Sequence, residues 1–302
     1  MSRVVFAGSP APAARVFADL CDSPHDVAFA ISQPDRRRGR GGTASLTPVA
    51  ATAADRGIEC LRPATINDPD ILDRLRSENI DALCVVAFGQ LLKAPLLDEW
   101  PCINVHFSVL PAYRGAAPVE RAVMDGATET GVSIMRMDAG LDTGPVFSIT
   151  RTPIGATDTA GEVMDRLCEL GANGLVEALE ALDAGTFAPT PQPEGGVSLA
   201  PKIGADDREL DTAMSATALA NRIRGLAPHI GVRCEIDGQP FKIWAATPLD
   251  ATAPPGLHAD GDRLILGCAT GSLEITQLQP PSKARMDASA FLRGWRGELE
   301  LA

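Results

Sequence analysis

The chain has 302 residues, 45% hydrophobic and 22% charged, a globular composition that excludes a disordered or fibrous protein and allows two domains with separate cores. Its longest apolar runs, such as Ala82–Phe88, fall far short of the roughly 20 residues that a membrane-crossing helix needs, and the first residues hold no secretory apolar segment. A formal net charge of −12 disfavours diffuse binding to nucleic acid, so such a partner must be met by a local basic patch.

Taken in chain order, the first two-thirds alternate short apolar runs with amphipathic stretches, the pattern of a parallel sheet wrapped by helices. Strands are expected at Val4–Ala7, Val27–Ile31, Ala82–Ala87, Cys102–His106, Gly131–Met135 and Pro145–Thr150. Helices are expected near Pro12–Leu20, Pro48–Asp55, Pro69–Ser77 and Pro118–Asp125. A longer one runs from about Thr159 to Leu182, with Asp158-Thr159 as its cap and Gly185 as its stop. From Phe187 to Lys202 prolines and glycines punctuate a stretch without periodicity, as in a linker. Beyond it a helix (Met214–Arg224) precedes strand-like runs at Val232–Ile236, Phe241–Ala245, Leu264–Gly267 and Leu273–Leu278. Asp237-Gly238, Asp260-Gly261 and Thr270-Gly271 separate these runs as hairpin turns, which suggests a small OB-like barrel. The expected boundaries are a first domain over 1–187, a linker over 188–203 and a second domain over 204–302.

The seven cysteines are scattered without a Cys-x-x-Cys pair, which reads as reduced thiols in a cytoplasmic protein. With only four dispersed histidines, no metal site is expected. Gly8-Ser9-Pro10 after the first strand lacks the rest of a G-x-G-x-x-G fingerprint, so a dinucleotide is disfavoured and a plain turn opening a helix explains the residues.

Asn104-Val105-His106 carries more chemistry. In a strand, residues i and i+2 share a face, so Asn104 and His106 project together. At the C-terminal end of a parallel strand that face opens onto the ligand crevice of α/β folds. An Asn there donates to a developing oxyanion and a His moves a proton, although a capping Asn beside a hydrogen-bonded His would look the same. Phe107–Pro118 follows as a long apolar loop, able to cover a flat heteroaromatic ligand or to serve as a buried connection. Met137–Gly144 is a sharp loop with two carboxylates, Asp138 and Asp142. Either the loop is only a turn, or one aspartate enters the crevice beside His106.

Together these segments resemble the signature of the folate-dependent formyltransferases. The resemblance is carried by Cys102-Ile103-Asn104-Val105-His106-x-Ser108-x-Leu110-Pro111-x-x-Arg114-Gly115-Ala116-Ala117-Pro118, by Glu129–Met135, by Met137-Asp138 and by Gly140–Gly144. Val5–Pro10, Gln33-Pro34-Asp35-Arg36 and Gly39-Arg40-Gly41 are similar to the branch that acts on methionyl-tRNA. The resemblance implies a Rossmann-like domain followed by a small β-barrel. It also implies formyl transfer from 10-formyltetrahydrofolate, as co-substrate, to the α-amino group of initiator methionyl-tRNA, in a cytoplasmic monomer without metal. The family's catalytic residues then fall on Asn104, His106 and Asp142. Its folate-contacting loop falls on Ser108, Val109, Leu110 and Pro111, and its pterin-lining segment on Phe88, Gly89, Gln90 and Leu91. Its tRNA-gripping loop falls on Arg36, Arg37, Arg38 and Arg40. Two departures stand out. Phe107 occupies a position where the family often has a small residue, so its ring either turns away from the ligand or narrows the pocket. The basic residues of the second domain are matched by many carboxylates, which dilutes the expected tRNA face. The same scaffold also carries formyltetrahydrofolate hydrolases and nucleotide-sugar formyltransferases, but the Arg-rich loop and the β-type second domain favour tRNA.

Overall fold

The computed structural model describes residues 1–37 and 44–301. The chain divides into two compact units. One takes Met1–Ala116, Thr130–Thr152 and Met164–Ala200, the other Ala117–Glu129, Pro153–Val163 and Pro201–Ala302.

The strands of the first unit are β1 (Arg3–Gly8), β2 (Asp26–Ile31), β3 (Arg36–Arg37), β4 (Ala44–Ser45), β5 (Cys60–Leu61), β6 (Ala82–Val86), β7 (Cys102–His106), β8 (Arg114–Gly115), β9 (Glu129–Arg136), β10 (Val146–Pro153) and β11 (Leu199–Ala200). Seven of them form one sheet in the order β10-β9-β7-β6-β1-β2-β5. From β5 across to β7 the pairs are parallel, and β6 and β7 are buried along their whole length, as strands covered on both faces must be. The sheet is mixed rather than all-parallel, because β9 returns antiparallel to β7. Parallel neighbours need a crossover long enough to recross the sheet.

The helices are α1 (Ala11–Cys21), α2 (Pro48–Asp55), α3 (Pro69–Ser77), α4 (Ala94–Glu99), α5 (Pro118–Met124), α6 (Ala160–Asp183), α7 (Ala216–Gly225) and α8 (Ala288–Gly294). The starts of α2 and α3 are set by chemistry visible in the sequence. Each has Pro at its first position, and the side chain before it (Thr47, Asp68) accepts a hydrogen bond from the first-turn backbone. Along α6 the helical spacing hides a second feature. A Cβ on Gly171 would stand 2.7 Å from Val105 Cγ1, and one on Gly174 2.9 Å from Ile134 Cγ1. The two glycines therefore bring the helix backbone close to the sheet, at a propensity cost of about 1 kcal/mol each. Phe107 lies 3.5 Å from the same Gly171 position and is 5% exposed. Its ring is thus on the Val105 side of β7, away from Asn104 and His106.

The stretch read as a linker contributes structure to the first unit. Thr190 bridges Val146, and β11 pairs in parallel with β8.

In the second unit, β12 (Val232–Ile236), β13 (Gln239–Leu249), β14 (Gly256–Asp260), β15 (Arg263–Gly267), β16 (Ser272–Gln279) and β17 (Met286–Asp287) form one antiparallel sheet. Asp237 and Gly238 turn β12 into β13 with φ of 52° and 67°, the left-handed pair that a tight hairpin needs. β13 outruns its expected length, and register shifts on either side of Ala245 mark bulges that bend it. The sheet curls around Leu219, Ile223, Phe241, Leu264, Leu273 and Phe291, the small barrel-like core expected of this unit.

Within this unit Arg121 grips Asp207 with two parallel hydrogen bonds of 2.7 and 2.6 Å, which hold the Asp207 carboxyl below its usual range. Glu120, in the first turn of α5, is pushed the other way: burial raises its carboxyl above the ordinary glutamate range. A raised acid costs no stability below about pH 4.3, where both folded and unfolded chains hold the proton, and an increasing amount as pH rises past that value. Glu120→Gln should therefore raise the thermal midpoint at pH 7, with the gap closing as the pH falls below 4.3, the ordinary value. Equal midpoints at both pH values would show that the Glu120 carboxylate carries no such penalty.

Candidate active site

Strand β7 places Asn104 and His106 on one face, 8% and 5% exposed, with β6 and β9 on either side. The imidazole is fixed through Nε2, which lies 3.0 Å from the Tyr113 carbonyl oxygen. A carbonyl only accepts, so Nε2 carries a proton and Nδ1 is the ring atom left for chemistry. Asp142 Oδ2 stands 3.7 Å from Nδ1, too far for a hydrogen bond and close enough for an ion pair when the ring is protonated. Asn104 differs. Among the described residues its carboxamide has no hydrogen-bond partner, and its polar atoms are not among the buried unpartnered ones, so the amide is open at the site.

The two aspartates of the 137–144 loop have separate tasks. Asp138 Oδ1 accepts from the Gly140 N–H at 3.0 Å and from the Thr143 hydroxyl at 2.7 Å, which locks the loop onto itself. Asp142, held at φ 51°, is the one that faces His106, and its Oδ2 accepts from the Gly115 N–H at 2.8 Å. Gly115 has φ 129°, and a Cβ there would stand 2.6 Å from the Ala200 carbonyl oxygen. Only glycine fits between β11 and this hydrogen bond.

The loop after β7 is built inward. Ser108 is fully buried, its hydroxyl donates to the Ala112 carbonyl at 2.6 Å, and Ser133 Oγ ties Ser108 to Leu110. Leu110 packs with Met135 and Val146, while Val109 is half-buried. The Ser108 hydroxyl is therefore committed to the loop.

The 86–91 segment is pinned from three sides. Gln33 Nε2 donates to the Phe88 carbonyl at 3.1 Å, Gln90 spends its amide on Ile66 N–H and the Pro63 carbonyl, and Asn67 donates to the Leu91 carbonyl. Phe88 is buried, whereas Gly89, at φ 78°, is exposed and its backbone N–H and carbonyl have no partner among the described residues. Leu91 is 69% exposed. Of this segment, backbone and apolar surface are what a ligand can meet.

Arg36 and Arg37 form β3, paired antiparallel with β4. Arg38 and Arg40 lie outside the described residues. All seven cysteines are unpaired, and burial pushes the Cys102 thiol up to about 12 and Cys84 further still, so neither is a thiolate near neutral pH. Among the described residues no helix is long and apolar enough to cross a membrane.

Sequence reasoning did not find Tyr113, Gly115 or Gln192. The first two act through the backbone, and Gln192 lies in a segment without periodicity. Gln192 Nε2 donates to the carbonyls of Asp142 and Gly144, both at 2.8 Å.

Residues 2–179 match the formyl transferase family, and residues 202–296 match the C-terminal domain of formyl transferases. A methionyl-tRNA formyltransferase of Ruegeria pomeroyi is 41% identical over 295 residues, spanning 97% of each chain. One from Alcanivorax borkumensis is 41% identical over 300 residues, spanning 97% of this chain and 91% of its own. Among solved structures, an N-formyltransferase of Helicobacter canadensis in complex with folinic acid and dTDP-3-aminofucose superposes with a TM-score of 0.68 at 15% identity, covering 91% of this chain and 99% of that one.

Proposed function

We propose the reaction from the family: the chain belongs to the methionyl-tRNA formyltransferases, and it transfers a formyl group from 10-formyltetrahydrofolate to the α-amino group of initiator methionyl-tRNA. The likeness to the Helicobacter canadensis N-formyltransferase is 15% identical and concerns the fold. The observation that carries the reading is the constellation on β7: an Asn104 amide without a partner among the described residues, beside a His106 whose Nε2 is already committed and whose Nδ1 faces Asp142.

The nucleophile is the acceptor's α-amine, partly neutral because a free α-amino group titrates near ~8. As it attacks the formyl carbon, negative charge grows on the formyl oxygen. The Asn104 side-chain N–H donates to that oxygen and needs no rearrangement to do so, since no other described group holds it. Protonated at Nδ1, His106 offers a second N–H, which Asp142 balances electrically at 3.7 Å without consuming it. Asp142, directly or through a water, takes the proton from the amine; the tetrahedral intermediate then collapses, the formyl C–N10 bond breaks, and that proton passes to N10 as tetrahydrofolate leaves. The folate sits along 86–91 and 108–111, where the open backbone of Gly89 suits the donors and acceptors on a pterin edge and Leu91 its flat face. Gln90 and Ser108 serve there by shaping the backbone, their side-chain polar groups being spent elsewhere. Arg36, Arg37, Arg38 and Arg40 grip the acceptor arm of the tRNA. The functional division follows 1–187 for catalysis, 188–203 as connection and 204–302 for tRNA, in a cytoplasmic monomer.

The test is formation of acid-stable formyl-methionine from charged initiator tRNA and 10-formyltetrahydrofolate. Asp142→Asn keeps the Gly115 hydrogen bond through its amide oxygen but removes charge and basicity, and should cost at least about 100-fold in kcat. A kcat within a few-fold of the unaltered protein removes Asp142 from the chemistry.

A further inference from the structure

Gln192 lies fifty residues beyond the loop it touches, in a stretch whose composition marks only a connection. Its amide is nevertheless fully used. The two N–H bonds of Nε2 go to the Asp142 and Gly144 carbonyls, each at 2.8 Å. Oε1 accepts from Arg114 Nη2 at 2.6 Å and from Arg114 Nε at 3.2 Å. Only one orientation of the amide satisfies this set, because two carbonyls demand donors on one side and a guanidinium demands an acceptor on the other.

The partners of that amide are the residues that hold the site. Arg114 sits between Tyr113, whose carbonyl fixes His106 Nε2, and Gly115, whose N–H fixes the Asp142 carboxylate. Ser198 pins the same segment, its hydroxyl accepting from the Tyr113 N–H at 2.9 Å and its carbonyl from the Arg114 N–H at 2.9 Å. A closed circuit results: Gln192 to the Asp142 backbone, the Asp142 carboxylate to Gly115, and Arg114 back to Gln192. Asp142 needs such support, for it is a non-glycine residue at φ 51°, a conformation that persists only when its surroundings over-determine it.

We propose that Gln192 is a positioning residue for formyl transfer, holding Asp142 in register with His106 Nδ1 by clamping the 142–144 backbone onto Arg114. The proposal rests on the assignment of Asp142 to the chemistry. It places part of the catalytic apparatus in the connecting stretch, which thereby does more than join two units.

The experiment is a double-mutant cycle in the full chain, with 10-formyltetrahydrofolate and methionyl-tRNA as substrates. Gln192→Ala should lower kcat by about 10–100-fold, the scale of a small misplacement of a reacting group. KM for the folate should stay within about 2-fold, the mark of an interaction realised in the transition state. In the Asp142→Asn background the same change should cost less than about 2-fold, because groups that act as a unit are not additive. Gln192→Glu has the same shape and keeps the acceptor for Arg114, but turns a carboxylate oxygen toward two carbonyls. It should lose at least as much as alanine while retaining the thermal midpoint more closely, so the question does not depend on Gln192→Ala folding. A slow Asp142→Asn with fully additive Gln192→Ala losses would overturn the proposal, as would a Gln192→Glu variant of unaltered kcat. An Asp142→Asn enzyme of normal kcat overturns the assignment of Asp142 instead, and is read from that single variant alone.

Discussion

Asn104→Ala is expected to reduce kcat for formyl transfer by about 10²–10³-fold, the range for removal of one oxyanion donor. The size follows from what the amide does not do in the fold. It holds no neighbour by a hydrogen bond among the described residues, so truncation leaves no protein group newly unpaired. Its backbone stays in register between Val85 and Met135 whichever side chain it carries. The alanine enzyme should therefore keep its thermal midpoint to within a few degrees and bind a folate analogue nearly as well, while kcat collapses. Rates of acid-stable formyl-methionine formation at saturating tRNA, set beside thermal unfolding, separate the two effects. A kcat within about 5-fold of the starting enzyme, against the hundredfold scale of such donors, would leave Asn104 a strand residue with no part in stabilising the formyl oxygen. Asn104→Asp offers a sharper contrast, since it keeps the shape but replaces the donor with an acceptor, and should fare no better than alanine.

Much of this site was legible in the sequence because it is written in local geometry. Alternation along β7 fixes that Asn104 and His106 share a face, and Pro48 and Pro69 with their capping residues fix where two helices begin. What the residue pattern left open is decided by individual contacts, some local and some distant in sequence. Apart from the family resemblance, which falls on Asp142, Asp138 and Asp142 look alike along the chain; the Gly140 and Thr143 hydrogen bonds commit the first to the turn and leave the second for His106. Tyr113 and Gly115 contribute a carbonyl and an N–H, which every residue type possesses. α4 is six residues long and β14 buries only Leu257, so neither offers a period to detect; β14 exists because β15 supplies its ladder. The antiparallel return of β9 leaves no local trace either, being a property of the connection rather than of the strand.

The other large effect is expected from replacing Arg36, Arg37, Arg38 and Arg40 together with alanine. The chain carries a formal net charge of −12, and Arg36, Arg37, Arg38 and Arg40 concentrate four positive charges within five residues against that acidic background. Within the described residues the start of the basic segment is paired, Arg36 with Ser45 and Arg37 with Ala44. Guanidinium groups suit both phosphates and unstacked bases through their planar fork, which matters at the single-stranded end of an acceptor arm. If all four arginines contact phosphates, the slope of log affinity against log salt should flatten by up to ~3–4 units, at ~0.7–0.9 per contact. Near physiological salt that change corresponds to roughly 10²–10³-fold weaker tRNA binding. Folate-analogue binding should not move, since the residues pinning the 86–91 segment are Gln33, Gln90 and Asn67, none of them altered. The measurement is tRNA affinity across a salt series for both proteins, with folate-analogue binding alongside. Parallel salt lines for the two would mean that the arginines do not meet the tRNA backbone. A flattened slope with unchanged folate binding would assign the arginine run to the acceptor alone.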